Sequence, residues 1–414
     1  MNLCYAQSGG VTAVINVTAT AVLSESRKTP KINRAFAAKN GILGILQEEL
    51  IETWRDFQAR LRALQHTPGG AFGSCRIKLP QPTRNDKTYA RLMAIFRAHN
   101  IGFFLYNGGN DSADTALKIS QAAKFFDWPL TVVGIPKTID NDLAKTDTCP
   151  GFGSAAKYVA VSVAETTLDV AAMAKTSTKV FILEVMGRHA GWIVSAAGLV
   201  ANGNAGPHLL LFPEKPFERK TFIAALSRRV AKHGYAVVVA SEGLRAHNGE
   251  FLSAADTADS FSHRQLGGVA PLLAAMISDD CGFKCHWGVA DYLQRSARHI
   301  ASATDVKQAA ALGATAVHLA AAGKNAVMPV IRRLSDKPYR WRVDTVGLAA
   351  VANHERKMPA NFIGKDGYSI TAACRRYLTP LIHGENYPPF TNGLPRYATL
   401  KNTLTQKKLP KFSL

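Results

Sequence analysis

The sequence predicts an α/β chain of doubly wound parallel sheets, and three observations lead there. Short continuous apolar runs recur, among them Ile101–Tyr106, Leu130–Val133 and Tyr235–Ala240, as expected of strands buried on both faces. Each run ends in a loop rich in glycine, amide or charge, and a helical pattern usually follows. At 414 residues the chain can bury two or three hydrophobic cores. Its 47% hydrophobic and 19% charged residues mark it as globular.

Lys and Arg number 50 against 30 Asp and Glu, and the formal charge of +20 implies attraction to anions. Nucleic-acid binders concentrate cations on one element with aromatic residues between them. Here the cations are scattered, apart from short groups such as Arg332–Arg333 and the tail residues Lys407, Lys408 and Lys411. Phosphorylated small molecules are therefore favoured over nucleic acid. The six cysteines are sparse and form no paired framework, which suits a reducing compartment. Cys281, Cys285 and His286 offer zinc ligands, but a closed structural site takes four. No basic leader, signal peptide or membrane-length apolar run is present, so a soluble cytoplasmic chain with no membrane partner is expected.

Asn2–Gln7 reads as a strand that breaks at Ser8, Gly9 and Gly10, with a helix over Val11–Leu23. Strand, glycine pair and helix make either a phosphate cradle or an ordinary tight turn. Pro68–Arg76 is turn-rich and leaves Arg76 as a bidentate phosphate ligand or a solvated loop cation. Ile101–Tyr106 ends in Asn107–Ser112 ahead of a helix over Ala113–Ala123. Asp111 there either caps the helix or repels a phosphate.

The stretch Gly134–Asp142, GIPKTIDND, follows the Leu130–Val133 strand. Open α/β sheets bind ligands at such strand ends. Lys137 is a point charge for phosphate, while Asp140 and Asp142 can share proton abstraction and metal or structural duty. Pro150–Gly153 then precedes a helix over Ser154–Ala174, a plausible domain crossing. Lys179–Val185 reads as a strand ending in Met186, Gly187 and Arg188. A cation beside a helix start is unfavourable without an anion, so Arg188 suggests one; His189 reads as a loop or capping residue. His208–Phe212 and Tyr235–Ala240 are further strands around a helix over Arg219–Lys232, and the second ends at Glu242, a carboxylate that either accepts a sugar hydroxyl or only caps a turn. Lys284, His286, Tyr292–Arg295, Arg298 and His299 form a polar run, either a linker or a clamp on a second phosphate. A helix over Thr304–Ala322 and a strand over Asn325–Ile331 follow, and beyond about Ser335 the pattern weakens into an extension packed over the domains.

Together GGNDS (Gly108–Ser112), PKTIDND (Pro136–Asp142), MGR (Met186–Arg188) and YLQR (Tyr292–Arg295) resemble the phosphofructokinase family over roughly residues 1–335. The extension is similar to that of the bacterial pyrophosphate-dependent branch. The resemblance implies two Rossmann-like domains: residues 1–150 with about 292–335 binding the phosphoryl donor, and 151–291 binding a sugar phosphate, followed by the extension 336–414. ATP-using members typically carry Gly where this chain has Asp111 and Lys137; pyrophosphate-using members carry Asp and Lys. The implied reaction is phosphoryl transfer from magnesium pyrophosphate to the 1-hydroxyl of fructose 6-phosphate. The alternatives are an ATP-dependent phosphofructokinase and a non-catalytic basic protein.

By the same resemblance Asp140 is the base, while Lys137, Asp111, Thr138 and Arg188 assist the transfer. Gly9, Gly10, Arg76 and Lys137 hold diphosphate. Thr138, Ile139, Met186, Gly187, Arg188, Glu242 and the Tyr292–Leu293–Gln294–Arg295 segment contact the sugar phosphate. Asn110 and Asp142 are the candidate Mg2+ contacts, although Asn110 stands where the family has Asp. Lys179 replaces an Arg that reaches a neighbouring subunit's site, which implies a homodimer or homotetramer. Tyr292 replaces a frequent His.

Overall fold

The computed structural model describes residues 1–54, 58–200, 206, 209–258 and 264–412. His208, the first residue of one expected strand, lies outside them. The chain begins β1 (Asn2–Gln7), α1 (Ile15–Lys28), β2 (Ala35–Ala38), α2 (Gly41–Leu46), β3 (Leu50–Glu52), α3 (Gln58–Leu64), α4 (Lys87–Ala98), β4 (Ile101–Gly108), α5 (Asn110–Phe125) and β5 (Thr131–Pro136). After α6 (Phe152–Met173) come β6 (Val180–Val185), α7 (Trp192–Ala197), β7 (Leu209–Leu211), α8 (Arg219–His233) and β8 (Ala236–Ser241). A small hairpin, β9 (Ala254–Ala258) with β10 (Arg264–Leu266), leads to α9 (Val269–Cys281), β11 (Cys285–Val289), α10 (Asp291–Ser296) and α11 (Ala303–Ala321). The chain then returns through β12 (Val327–Asp336), β13 (Tyr339–Gly347) and α12 (Ala372–Leu378).

The expected parallel sheets are present. A seven-stranded sheet runs β13-β12-β5-β4-β1-β2-β3, parallel except where β13 and β3 pair at its two edges. A four-stranded sheet, β11-β6-β8-β7, is parallel throughout. Alternation puts Phe104 and Val132 into the core on one face of the large sheet and Leu105 and Val133 into the core on the other. Both faces are covered by helices, so the apolar runs need no polar side.

Two local differences from the sequence reading have physical causes. Helix α1 starts at Ile15 rather than Val11 because Gly9, at φ +72°, keeps the chain in a loop that Val11 still lines. The hairpin β12–β13 extends the large sheet where the pattern appeared to weaken; β13 is an edge strand whose alternation is diluted by exposed Arg and polar residues. Cys281, Cys285 and His286 form no metal cluster among the described residues.

The crossing between sheets is capped from a distance. Asp305 on α11 is buried, and its carboxylate accepts the N–H of Gly151 at 2.9 Å, the N–H of Ser154 at 3.0 Å and the Ser154 hydroxyl at 2.6 Å. The first turn of α6 thus finds its acceptor on another helix.

The tail closes the other edge. Glu52 N–H donates to the Thr403 carbonyl at 3.0 Å and Thr405 N–H to the Leu50 carbonyl at 2.8 Å, so the tail pairs with β3. Glu48, fully buried, anchors it by accepting the N–H groups of Lys408 at 2.6 Å and Leu409 at 3.1 Å and by meeting His99 Nε2 at 2.7 Å. Burial alone would raise its pKa, but these partners hold it below the ordinary carboxylate range. Its contribution to stability is therefore complete above the unfolded-state pKa and lost as pH falls through the depressed folded value. Glu48→Ala should cost about 3 kcal/mol near neutral pH in urea denaturation. The gap to wild type should narrow in acid; a constant gap would remove charge from this account.

Candidate active site

The loops that follow β1, β4, β5, β6 and β8 meet around a cleft of about 260 Å³. Parallel strands gather their carboxyl ends, which is why residues from such distant points of the chain share one wall. Gly9 and Gly10 come from the β1 loop, Gly109 to Ser112 from the start of α5, and Lys137 to Asp140 with Asp142 from the β5 loop. Met186, Arg188, His189 and Ala190 follow β6, Glu242 follows β8, and Arg76, Arg295 and Glu355 complete the lining.

The β5 loop is braced by its own hydrogen bonds. Asp140 N–H donates to Thr138 Oγ1 at 3.1 Å, and the Thr138 hydroxyl turns toward Asp140 Oδ2 at 3.4 Å. Asn141, in left-handed backbone at φ +55°, accepts Cys149 N–H at 3.0 Å and donates to the Tyr377 hydroxyl at 2.9 Å. Lys137 is buried and donates to the Gly10 carbonyl at 2.5 Å. A Cβ on Gly9, where φ is already positive, would stand 3.4 Å from Lys137 Nζ, and one on Gly10 would stand 2.8 Å from the Arg295 guanidinium. Glycine there lets a ligand approach the backbone and keeps the cations close, although the Gly9 N–H itself donates to the Cys75 carbonyl at 3.0 Å.

The crowding shifts the titrating groups. Lys137 is lowered to about 7 by burial first, then by the Arg295 and Arg76 cations, against the pull of Asp140 and Asp142. Burial raises Asp140, opposed by Thr138, Lys137, His189 and Arg295. Asp142 rises to about 7 through burial and the nearby carboxylates Asp140 and Glu355. Glu242 also rises to about 7, through burial and Asp140, although its Oε1 accepts Gly187 N–H at 3.3 Å. Such displaced carboxylates and a displaced lysine in one cleft are the equipment of proton and phosphoryl transfer.

Most of the residues singled out in the sequence converge here. Gly187 stands directly behind the lining, at φ +139°, where Ser241 Oγ donates to its carbonyl at 2.6 Å. The YLQR segment divides. Arg295 enters the cleft beside Gly10 rather than at a separate phosphate position. Gln294 is buried and accepts Met186 N–H at 3.4 Å, a bracing role. Tyr292 and Leu293 are exposed, 61% and 63%, on the outer side of α10. Lys179 lies at the start of β6, away from the cleft, with its ammonium on the Ala174 carbonyl. Arg298 is structural, donating to the Gln65 carbonyl at 3.1 Å and to Asn386.

Among the lining residues outside the sequence-derived set, His189 and Glu355 are the titratable ones. His189, read as a loop residue, faces the cleft, and its Nδ1 meets the Glu355 carboxylate at 2.9 Å. Glu355 belongs to the extension, and no local pattern marks it. For His189 the adjacent Arg188 was the available signal.

Comparison with known proteins agrees with this geometry. A phosphofructokinase family model matches residues 2–320. The pyrophosphate–fructose 6-phosphate 1-phosphotransferase of Xanthomonas campestris pv. campestris is 58% identical over 412 residues, 99% of this chain and 98% of the relative. That of Halomonas elongata is 54% identical over 415 residues, covering 100% and 99% respectively. The crystal structure of the pyrophosphate-dependent phosphofructokinase from Nitrosospira multiformis superposes with a TM-score of 0.92 at 52% identity, over 100% of this chain and 99% of that one. With the parallel sheets, the loops at their carboxyl ends and these full-length likenesses all in accord, the chain belongs to the phosphofructokinase family.

Proposed function

We propose that this chain transfers a phosphoryl group from pyrophosphate to the 1-hydroxyl of fructose 6-phosphate, giving fructose 1,6-bisphosphate and phosphate. The observation that carries this reading is the presence of Asp111 and Lys137 in the same cleft as Asp140. A carboxylate at the second residue of α5 occupies and charges the space that a nucleotide's α-phosphate would need, while pyrophosphate is short enough to stop before it. Full-length relatives with that activity in their names support the same donor.

In this reading Lys137, Arg76 and Arg295 hold the donor, with the Gly9–Gly10 backbone as cradle. Asp140 takes the proton of the 1-hydroxyl as its oxygen attacks the terminal phosphorus in line. The bond from that phosphorus to the bridging oxygen breaks, and the electron pair leaves on phosphate, whose charge Lys137 neutralises. Arg188 steadies the phosphoryl group, and Thr138, Ile139, Met186 and Gly187 shape the sugar side with Glu242 on a hydroxyl.

A magnesium ion fits the cleft chemically, because Asp142 is raised by burial and then by the neighbouring carboxylates Asp140 and Glu355, and a cation relieves both. Among the described residues no three His, Cys, Asp or Glu side chains converge as a metal cage, which suits an ion that keeps water and donor oxygens as ligands. Asn110 and Asp142 would hold it, and it would supply charge neutralisation on pyrophosphate.

A homodimer or homotetramer accompanies this reading. Trp287 and Val289 on the exposed edge strand β11 and Tyr292 and Leu293 on α10 are 41 to 63% exposed, an apolar edge that a second copy of the chain would cover. Lys179, outside this chain's cleft, is then available to a partner's sugar phosphate. Among the described residues no helix is long and apolar enough to cross a membrane.

The direct test is product formation from fructose 6-phosphate with magnesium and either pyrophosphate or ATP as sole donor. Turnover is expected with pyrophosphate; replacing Asp111 and Lys137 together by glycine should suppress it, and unchanged pyrophosphate use would sink the account of donor choice. Asp140→Ala should lower kcat by roughly 10² to 10⁴ with little change in sugar-phosphate affinity, and a fully active variant would remove Asp140 from the base role. Because Lys137 sits near 7 in the free protein, donor binding at about pH 8 should draw a proton onto it. Calorimetry in buffers of different ionisation enthalpy should register that uptake in wild type and its loss in Lys137→Met.

A further inference from the structure

The wall of the cleft that follows β6 holds a hydrogen-bonded histidine–carboxylate pair with no part in the mechanism above. His189 Nδ1 meets both oxygens of Glu355, at 2.9 and 3.1 Å. The ring lies nearly parallel to Phe251, interplanar angle 13°, and the Arg188 and Arg245 guanidinium groups pack on the same aromatic ring. His189 is thus held by a carboxylate on one nitrogen and by an aromatic neighbour.

Glu355 is itself placed firmly. Two residues before it, Asn353 donates to Asp114 Oδ1 on α5 at 3.0 Å. Immediately after it, Arg356 N–H donates to the Asp142 carbonyl at 2.6 Å, and the Arg356 guanidinium binds the carbonyls of Asn141, Thr146 and Asp147. Glu355 also bridges to Leu143 as an isolated antiparallel pair. A segment from the extension is thereby pinned on both sides of a single carboxylate at the mouth of the cleft. A loop that merely passed by would need no such fastening.

With Nδ1 bound to Glu355, the nitrogen left for a ligand is Nε2, which has no hydrogen-bond partner among the described residues. His189 shares the cleft lining with Arg188 and Asp140, and Asp140 lies close enough to feel its charge. The Glu355 carboxylate behind the ring accepts from Nδ1–H, and an anionic phosphoryl group in this space is an acceptor for Nε2 whenever that nitrogen carries a proton.

Resting on the transfer reaction proposed above, we infer that His189 is a further catalytic residue, its Nε2–H donating to a non-bridging oxygen of the phosphoryl group in transfer, and that Glu355 is the positioning residue that orients it. Lys137 and Arg295 serve the same group from the Gly9–Gly10 wall; His189 serves it from the wall that carries Arg188. No additional bond is made or broken, and the donated proton stays on the ring.

The test is a double-mutant cycle on the full-length protein with magnesium, pyrophosphate and fructose 6-phosphate. His189→Ala should lower kcat by about 10²-fold while both KM values stay within about threefold, as for loss of one donor to transition-state charge. Glu355→Ala should lower kcat roughly tenfold, with Glu355→Gln between it and wild type because an amide oxygen still accepts from Nδ1. The double variant His189→Ala with Glu355→Ala should be no worse than His189→Ala alone, since the carboxylate acts through the ring. Added imidazole should restore part of the kcat of His189→Gly, a rescue that a structural role would not show. A kcat within twofold of wild type in His189→Ala overturns the catalytic role. An added tenfold loss from Glu355→Ala in the His189→Ala background overturns the positioning role, and a loss in His189→Gly that imidazole leaves untouched counts against both. Wild type without pyrophosphate turnover would defeat the transfer reaction itself, an outcome separate from these.

Discussion

The cleft depends on one guanidinium. Arg356 donates to the carbonyls of Asn141 at 2.7 Å, Thr146 at 2.9 Å and Asp147 at 2.6 Å, and it packs over the Trp192 ring at 4.6 Å. The β5 loop has left its sheet by this point, so the Asn141 and Thr146 carbonyls have no ladder partners and would otherwise be unsatisfied. A planar group with five donors in a fixed fork serves all three at once. Tyr377, which receives Asn141 Nδ2 and donates to the Asp147 carbonyl at 2.5 Å, closes the same arrangement. Asp140 and Asp142 flank Asn141, so their backbone is set from outside the loop. Residues after the large sheet's last strand therefore hold the chemistry that the middle of the chain carries.

The charges gathered by this scaffold explain one another. Lys137, Arg76, Arg188, Arg295 and His189 line the same cleft as Asp111, Asp140, Asp142, Glu242 and Glu355. Burial is the largest cause of each shift, lowering Lys137 and raising Asp142 and Glu242, and the two arginines and the neighbouring carboxylates push in the same directions. Anionic substrates enter a site whose cations already repel one another, and that repulsion is relieved on binding. The global charge of +20 supplies attraction at a distance. Which phosphate is accepted rests on the loops.

Much of this was legible residue by residue. The apolar runs at Ile101–Tyr106 and Leu130–Val133 announce strands buried on both faces, and a parallel sheet has to bring the loops after them to one edge. Gly9, Asp111 and Lys137 each lie in such a loop, and the family resemblance is what implies that they serve one donor. Arg298 shows the limit of the same reasoning. As a charge among polar residues it read equally as solvated or as a phosphate clamp, yet it is fully buried and bonded to backbone far away in sequence. The β13 strand was hidden because an edge strand with arginines on its open side has little apolar alternation to detect.

The sequence by itself determined the α/β class, the loops at strand ends and the combination of Asp111 with Lys137, because strand periodicity and loop chemistry are local properties written in adjacent residues. Only the tertiary structure decided that Arg295 joins Gly10 and Lys137, that Gln294 turns inward as a brace, and that Glu355 reaches His189 from an extension with no motif of its own. Those outcomes depend on where a helix lands and where a returning segment is pinned. Contacts between residues more than a hundred positions apart are set by packing and by the satisfaction of stranded carbonyls, neither of which leaves a periodic trace in the chain.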